Sequence, residues 1–191
     1  MVKSSPFHGE DYGFDPRTWY MRTELYIDID KEISLSNQIS KRLLEDGYNA
    51  SNSIIVTVST DYSSIPGQLI RHNLSHDLEI CDGFGIDVPY PDEQWDSNYV
   101  TNMYRAITNY SNNITKTLIL VEAGVIRGGN YTFVVNYIRS RFLHTGKIIT
   151  VALFENEESK WKSDYVGEYY DDTTQDLTFS WEKPNKHWST I

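Results

Sequence analysis

Residues 117–132 read Thr117-Leu-Ile-Leu-Val-Glu-Ala-Gly-Val-Ile-Arg-Gly-Gly-Asn-Tyr-Thr132, and three kinds of local structure follow one another in them. Thr117 to Val121 is an unbroken apolar run of strand length, as expected of a strand buried on both faces. Glu122 to Asn130 holds three glycines and reads as a loop. Tyr131, Val134, Val135 and Ile138 then recur at helical spacing. A glycine turn between a buried strand and a helix presents backbone N–H groups at the helix N-terminus, where they favour phosphate. Two adjacent glycines also suit any tight turn, so the loop alone leaves both readings open.

The same alternation extends on either side. Ile54-Ile-Val-Thr-Val58 is a β-branched strand, Ser59 to Ser64 reads as a polar loop, and Ile65, Leu69 and Ile70 mark a helix whose first turn accepts Pro66. Upstream, Leu35, Ile39, Leu43 and Leu44 predict a helix over 36–46 closed by Gly47, preceded by a short edge strand over 24–29. Residues 81–98, rich in proline, glycine and acids, read as an irregular excursion, and Tyr99 to Tyr110 as a further helix. Ile148 to Phe154 is another strand. This pattern specifies an α/β fold with a mostly parallel central sheet flanked by helices, whose ligands bind beyond the carboxyl ends of the strands. The loops at 59–64, 122–130 and 155–160 all fall at that end.

The chain has 191 residues and a formal charge of −10, so its mean field repels polyphosphate backbones and anionic membranes, and no nucleic-acid or membrane partner is expected. No apolar run approaches the ~20 residues of a membrane span, and the Met1-Val-Lys-Ser-Ser5 start lacks an apolar signal core, which predicts a cytoplasmic protein. Cys81 is the one cysteine and reads as a small buried side chain. Among the five histidines only His72 and His76 stand at i, i+4, without a third ligand nearby, so no metal site is assigned. Hydrolase, metalloprotease and P-loop signatures do not occur.

Four stretches, in order, resemble type I phosphoribosyltransferases, with the nearest likeness to the xanthine-guanine and related 6-oxopurine enzymes. Val121 to Thr132 is similar to their V-D-D strand and D-T-G-G-T loop, and Ile65-Pro-Gly67 to the V-P-G that follows their pyrophosphate loop. Residues 148–154 look like their next strand. Asp164-Tyr-Val-Gly-Glu168 and Phe179-Ser-Trp-Glu182 resemble their D-Y-V segment and closing P-W-D or P-W-E. The resemblance implies one phosphoribosyltransferase-like domain over 1–191, with a core at about 36–155 and a small hood from 1–35 and 156–191.

Carried over by position, the resemblance makes Glu122 the acid that holds ribose hydroxyls, while its companion on the magnesium-diphosphate side falls on Ala123. The 5′-phosphate loop becomes Arg127, Gly128, Gly129, Asn130, Tyr131 and Thr132, with the family's threonines replaced by Arg127 and Asn130 and its loop acid by Ile126. Arg127 adds a cation able to make charge-assisted bonds to phosphate. Ser59, Thr60 and Asp61 occupy the pyrophosphate-loop position, where a carboxylate is repulsive to diphosphate. The base pocket falls on Phe154, Asn156, Asp176, Leu177 and Phe179, with Asn156 in place of the lysine that reads the 6-oxo group. Each of these has a plainer reading: Glu122 as a strand-end acid facing solvent, Arg127 as a surface ion-pair partner, Asp61 as a turn residue.

The expectation is a divergent phosphoribosyltransferase-like protein that binds a phosphorylated ribose, nucleotide or sugar phosphate and has lost ordinary purine transfer, a pseudoenzyme in that sense. Two alternatives stand beside it: an active transferase with a changed base or nucleophile, for which Mg2+ is the implied cofactor, and a non-catalytic interaction module. A homo-oligomer or protein partner stays open.

Overall fold

The computed structural model describes residues 23–58, 60–75, 79, 81–86, 88, 115–141 and 146–180. Their elements run β1 (Thr23–Ile27), α1 (Ile29–Glu45), β2 (Ser53–Val58), α2 (Thr60–Leu74), β3 (Asp82–Ile86), β4 (Thr117–Val125), α3 (Gly129–Arg141), β5 (Ile148–Asn156), β6 (Tyr165–Tyr170) and β7 (Gln175–Phe179). The central sheet has the order β3-β2-β4-β5-β6, parallel at every pairing. The strands read from 54–58, 117–121 and 148–154 are therefore neighbours at its middle.

Strands β4 and β5 are buried on both faces, which explains their continuous apolar runs. On one face Ile55, Ile119, Val121, Val151 and Leu153 pack under Leu35, Ile39, Leu43, Ile70 and Leu74 of α1 and α2. On the other, Ile54, Val56, Leu118, Leu120 and Ala152 pack under Tyr131, Val134, Val135 and Ile138 of α3.

Several boundaries differ from the sequence reading. Helix α1 begins at Ile29 rather than 36, because the Asp28 carboxylate caps it, accepting from Lys31 N at 2.7 Å, with Asp30 and Glu32 favourably placed in the first turn. Its end is as expected: Gly47, at φ +88°, donates from its N–H to Leu44 O. The polar loop expected at 59–64 is helical from Thr60, so Pro66 lies inside α2. Helix α2 lies so close to β2 that a Cβ on Gly67 would stand 2.0 Å from Thr57 Cγ2, which accounts for the glycine. Strand β3 lies within the stretch read as irregular. The helix read at 99–110 lies outside the described residues.

Of the stretches expected to form the hood, 1–22 and 181–191 lie outside the described residues. Strands β1 and β7 form a separate parallel pair, but β6 is a strand of the central sheet and α1 covers its core. Strand β6 is recruited by backbone pairing with β5, and Asp164 fixes its start by accepting from Thr150 N at 2.8 Å and Thr150 Oγ1 at 3.1 Å. Leu177 and Phe179 of β7 pack over Gly124, and Phe179 meets Phe154 edge to face at 6.0 Å, so the β1–β7 pair rests on the carboxyl ends of β4 and β5. Among the described residues no helix is long and apolar enough to cross a membrane.

Glu32 is a liability in this packing. It is fully buried on α1, and its carboxylate oxygens lack hydrogen-bond partners of ordinary geometry. Burial raises its pKa to about 7, with Ser180 opposing and the Asp28 charge adding. The folded state thus holds a proton that the unfolded chain releases above pH 4.5, and stability falls as pH rises from there through about 7. Glu32→Gln should stabilise the protein at pH 8 by roughly 3 kcal/mol, since each tenfold change in proton affinity between folded and unfolded chain corresponds to about 1.4 kcal/mol. The two proteins should converge near pH 4.5. Urea unfolding of both at the two pH values checks this.

Candidate functional site

Strand β4 continues past Val121 to Val125, so Glu122 and Ala123 are strand residues; the turn itself is Ile126 to Gly128, and α3 opens at Gly129. Gly128 adopts φ +75°, and a Cβ there would stand 2.1 Å from Trp161 Cβ and 3.1 Å from Trp161 backbone atoms. The left-handed conformation and the close approach both require glycine. Trp161 is anchored in turn: its indole N–H donates to Thr150 Oγ1 at 3.2 Å, and its ring lies 5.9 Å from that of Tyr131.

The first turn of α3 divides its side chains between site and core. The Tyr131 ring is wholly buried and its hydroxyl donates to the Val151 carbonyl, so this residue brings only its backbone to the loop. The Thr132 hydroxyl donates to Gly128 O at 3.0 Å, alongside the helical bond from Thr132 N. Asn130 points back to the strand: its Nδ2 donates to Glu122 Oε1 at 2.6 Å.

Glu122 does not face solvent. It is 7% exposed, and Oε2 is buried without a hydrogen-bond partner. Burial lifts its pKa to about 7, opposed by the Asn130 hydrogen bond. Ala123 is fully buried in the core beneath α1 and α2.

The residues read as a base pocket separate into packing and fastening groups. Phe154, Leu177 and Phe179 belong to or pack against the core beneath α1 and α2, and Asp176 lies on β7 opposite Glu24. Asn156, 3% exposed, has both ends of its amide engaged: Nδ2 donates to Ile126 O at 3.1 Å, and Oδ1 accepts from Glu158 N at 3.1 Å. It ties the glycine turn to the turn after β5. Ser59 lies outside the described residues, and Thr60 and Asp61 are backbone positions in the first turn of α2.

Two residues of this region were missed in the sequence. Trp161 supports the glycine turn from a segment without periodicity, and nothing local marks it. Glu155 is fully buried and accepts from Ser163 N at 2.8 Å, holding the same segment down; its place inside a strand of apolar residues was the one signal that could have found it.

The fold is similar to those of solved structures. A purine phosphoribosyltransferase from Pyrococcus horikoshii matches with TM-score 0.62 and 16% identity, over 84% of this chain and 95% of that one. The xanthine-guanine-hypoxanthine phosphoribosyltransferase of Helicobacter pylori matches with TM-score 0.60 and 13% identity, over 88% and 100%. A hypothetical protein from Neisseria gonorrhoeae with bound ppGpp matches with TM-score 0.63 and 13% identity, over 88% and 94%. The chain has the type I phosphoribosyltransferase fold. No family model matches it, and neither does any curated protein.

The cofactor that the resemblance implies is magnesium, an ion that takes carboxylates and substrate phosphates as ligands. Here Glu122 is buried with one oxygen engaged by Asn130, and the neighbouring acid position is Ala123 in the core. These side chains do not fit a magnesium ion.

The geometry of the turn predicts that Gly128→Ala lowers stability by about 2 to 4 kcal/mol, combining left-handed backbone strain with a clash against Trp161. Gly129→Ala, with nothing within 4 Å of its added Cβ, should change stability by less than about 1 kcal/mol. The denaturant midpoints of the two variants should therefore differ clearly.

Proposed function

We propose that this protein binds a phosphorylated ribose or nucleotide at the loop from Arg127 to Thr132, and that it does not carry out ordinary 6-oxopurine phosphoribosyl transfer. The observation that carries the first part is the build of the loop. A left-handed Gly128 and a helix opening at Gly129 follow a buried parallel strand at its carboxyl end, the setting in which first-turn amides and the helix dipole favour an anion. Support comes also from a protein of the same fold that binds ppGpp, a phosphorylated purine nucleoside.

The second part follows from the surroundings. Asn156, at the position that reads the 6-oxo group in the family, is buried and engaged in fastening the turn. Phe154 and Phe179 pack against each other instead of facing an open base site. Of the family's acid pair only Glu122 is present, and it lies buried against Asn130.

Two measurements test this reading. Thermal shift with ribose 5-phosphate, GMP and ppGpp should reveal a stabilising ligand, since saturation at 100 times the dissociation constant adds about 2.7 kcal/mol. Guanine, xanthine and hypoxanthine with phosphoribosyl diphosphate should yield no nucleotide in a coupled assay; rapid formation would defeat the proposal. Arg127→Ala should weaken the ligand found by ~1.5 to 3 kcal/mol, the range for bonds to charged groups, with folding stability nearly unchanged. Equal calorimetric affinities of wild type and variant would remove Arg127 from the site.

A further inference from the structure

Thr150 is a polar residue in an apolar part of β5, and its hydroxyl is saturated. Only 2% exposed, it donates to Asp164 Oδ2 at 3.1 Å and accepts from Asp164 N at 3.2 Å and from Trp161 Nε1 at 3.2 Å. Burying a hydroxyl is costly where valine of the same shape would be favourable, so the bonds it makes account for its place. The start of β6 is also held without it, because Thr150 N donates to the same Asp164 oxygen at 2.8 Å. The indole of Trp161, by contrast, is fastened to β5 by the hydroxyl itself.

Trp161 carries this anchorage to the glycine turn. Its Cβ and backbone stand over Gly128, where an added Cβ would come within 2.1 Å, and its ring lies 5.9 Å from that of Tyr131 at an interplanar angle of 44°. Tyr131 is fixed in turn by the bond from its hydroxyl to Val151 O. One side chain thus packs against both ends of the stretch from Gly128 to Tyr131, and its far edge is pinned to the sheet.

We infer that Thr150 is a positioning residue for the phosphate loop, acting through Trp161 to hold the backbone from Gly128 to Tyr131 in its binding arrangement. The inference rests on the reading of the loop as a phosphate site. Bonds from main-chain amides to a phosphate depend on direction, and a loop that spends time in other arrangements binds more weakly in proportion to the fraction that is competent. Glycine at φ +75° has many conformations open to it, so the turn gains definition from what is packed against it. Asp164 completes the device: by taking the hydroxyl proton it leaves the oxygen lone pairs of Thr150 for the two N–H donors.

The test compares wild type, Thr150→Val, Thr150→Ser and Trp161→Phe by calorimetric titration with GMP and with ribose 5-phosphate, at a temperature where circular dichroism shows each protein folded. Valine keeps the shape and removes the hydroxyl's bonds, serine keeps the hydroxyl, and phenylalanine keeps a ring beside Gly128 and removes the indole N–H. Thr150→Val and Trp161→Phe should each weaken both ligands by about fivefold to tenfold, the scale of one lost hydrogen bond, and Thr150→Ser should stay within about twofold of wild type. The double variant Thr150→Val, Trp161→Phe should bind no worse than the weaker single one, because both changes remove the same bond.

A merely structural role would lower the denaturant midpoint of Thr150→Val and leave the affinities alone. Unchanged affinities, no rescue by serine, or additive losses in the double variant would overturn the inference while leaving the loop as a phosphate site. A loss for GMP with none for ribose 5-phosphate would overturn it as well, since the phosphate is what the two ligands present in common to the loop. Should Thr150→Val fail to fold, Trp161→Phe, which leaves the bonds between Thr150 and Asp164 in place, decides the matter. Binding of neither ligand to wild type would overturn both the inference and the reading on which it rests.

Discussion

Burial of β4 and β5 on both faces is the constraint from which the rest of this structure follows. A parallel strand covered by helices above and below has no water to solvate its side chains, so each polar group it carries must find a partner or give up its charge. Glu122 finds half a partner in Asn130 and is pushed toward the neutral form. Glu155 accepts from the Ser163 backbone and draws the segment after β5 onto the sheet. Thr150 does the same with Asp164 and Trp161. The polar residues of the middle strands are thus the anchors by which loops at the carboxyl end are held in place.

This organisation separates two roles that the sequence placed together. Tyr131 and Thr132 stand in the loop by position, yet Tyr131 directs its ring into the core and Thr132 returns its hydroxyl to Gly128. Asn156 stands where a base would be read and fastens the turn at Ile126. Gly128 owes its identity as much to Trp161, pressed against it from a distant part of the chain, as to the turn. Packing and hydrogen bonding decide these assignments, and both depend on contacts between segments far apart in the chain.

For the same reason the sheet was more legible in the sequence than the site. The three central strands announce themselves by continuous apolar runs, and the periodicity of α1 and α3 follows from single buried faces. The cap at Asp28 was legible in principle, but Asp28-Ile-Asp30 also fits the end of an edge strand, and the choice needed the accepted bond from Lys31. The start of α2 was hidden because serine, threonine and aspartate favour both polar loops and first helical turns. A solvent-facing Glu122 stayed open as the plainer reading because strand length could not be fixed from Val121; the strand runs on to Val125 and carries it inside. Trp161 gave no local signal at all.

What remains at the loop once the fastened side chains are set aside bears on the kind of ligand that suits it. Main-chain amides at a helix N-terminus recognise an anion by position and charge and carry no means of distinguishing one base from another. Base discrimination needs a buried donor or acceptor aimed at the ring, and Asn156, the group at that position, is engaged with the backbone on both sides. Under the proposed reading, the phosphate is accordingly the part of a ligand that this loop would select. In a chain of net charge −10 such selection works against the long-range field, so the local arrangement has to supply the attraction. Under that reading the burial of Glu122 matters: an ionised carboxylate at the head of α3 would cancel much of what the helix amides and Arg127 offer, and desolvation shifts it toward the neutral form.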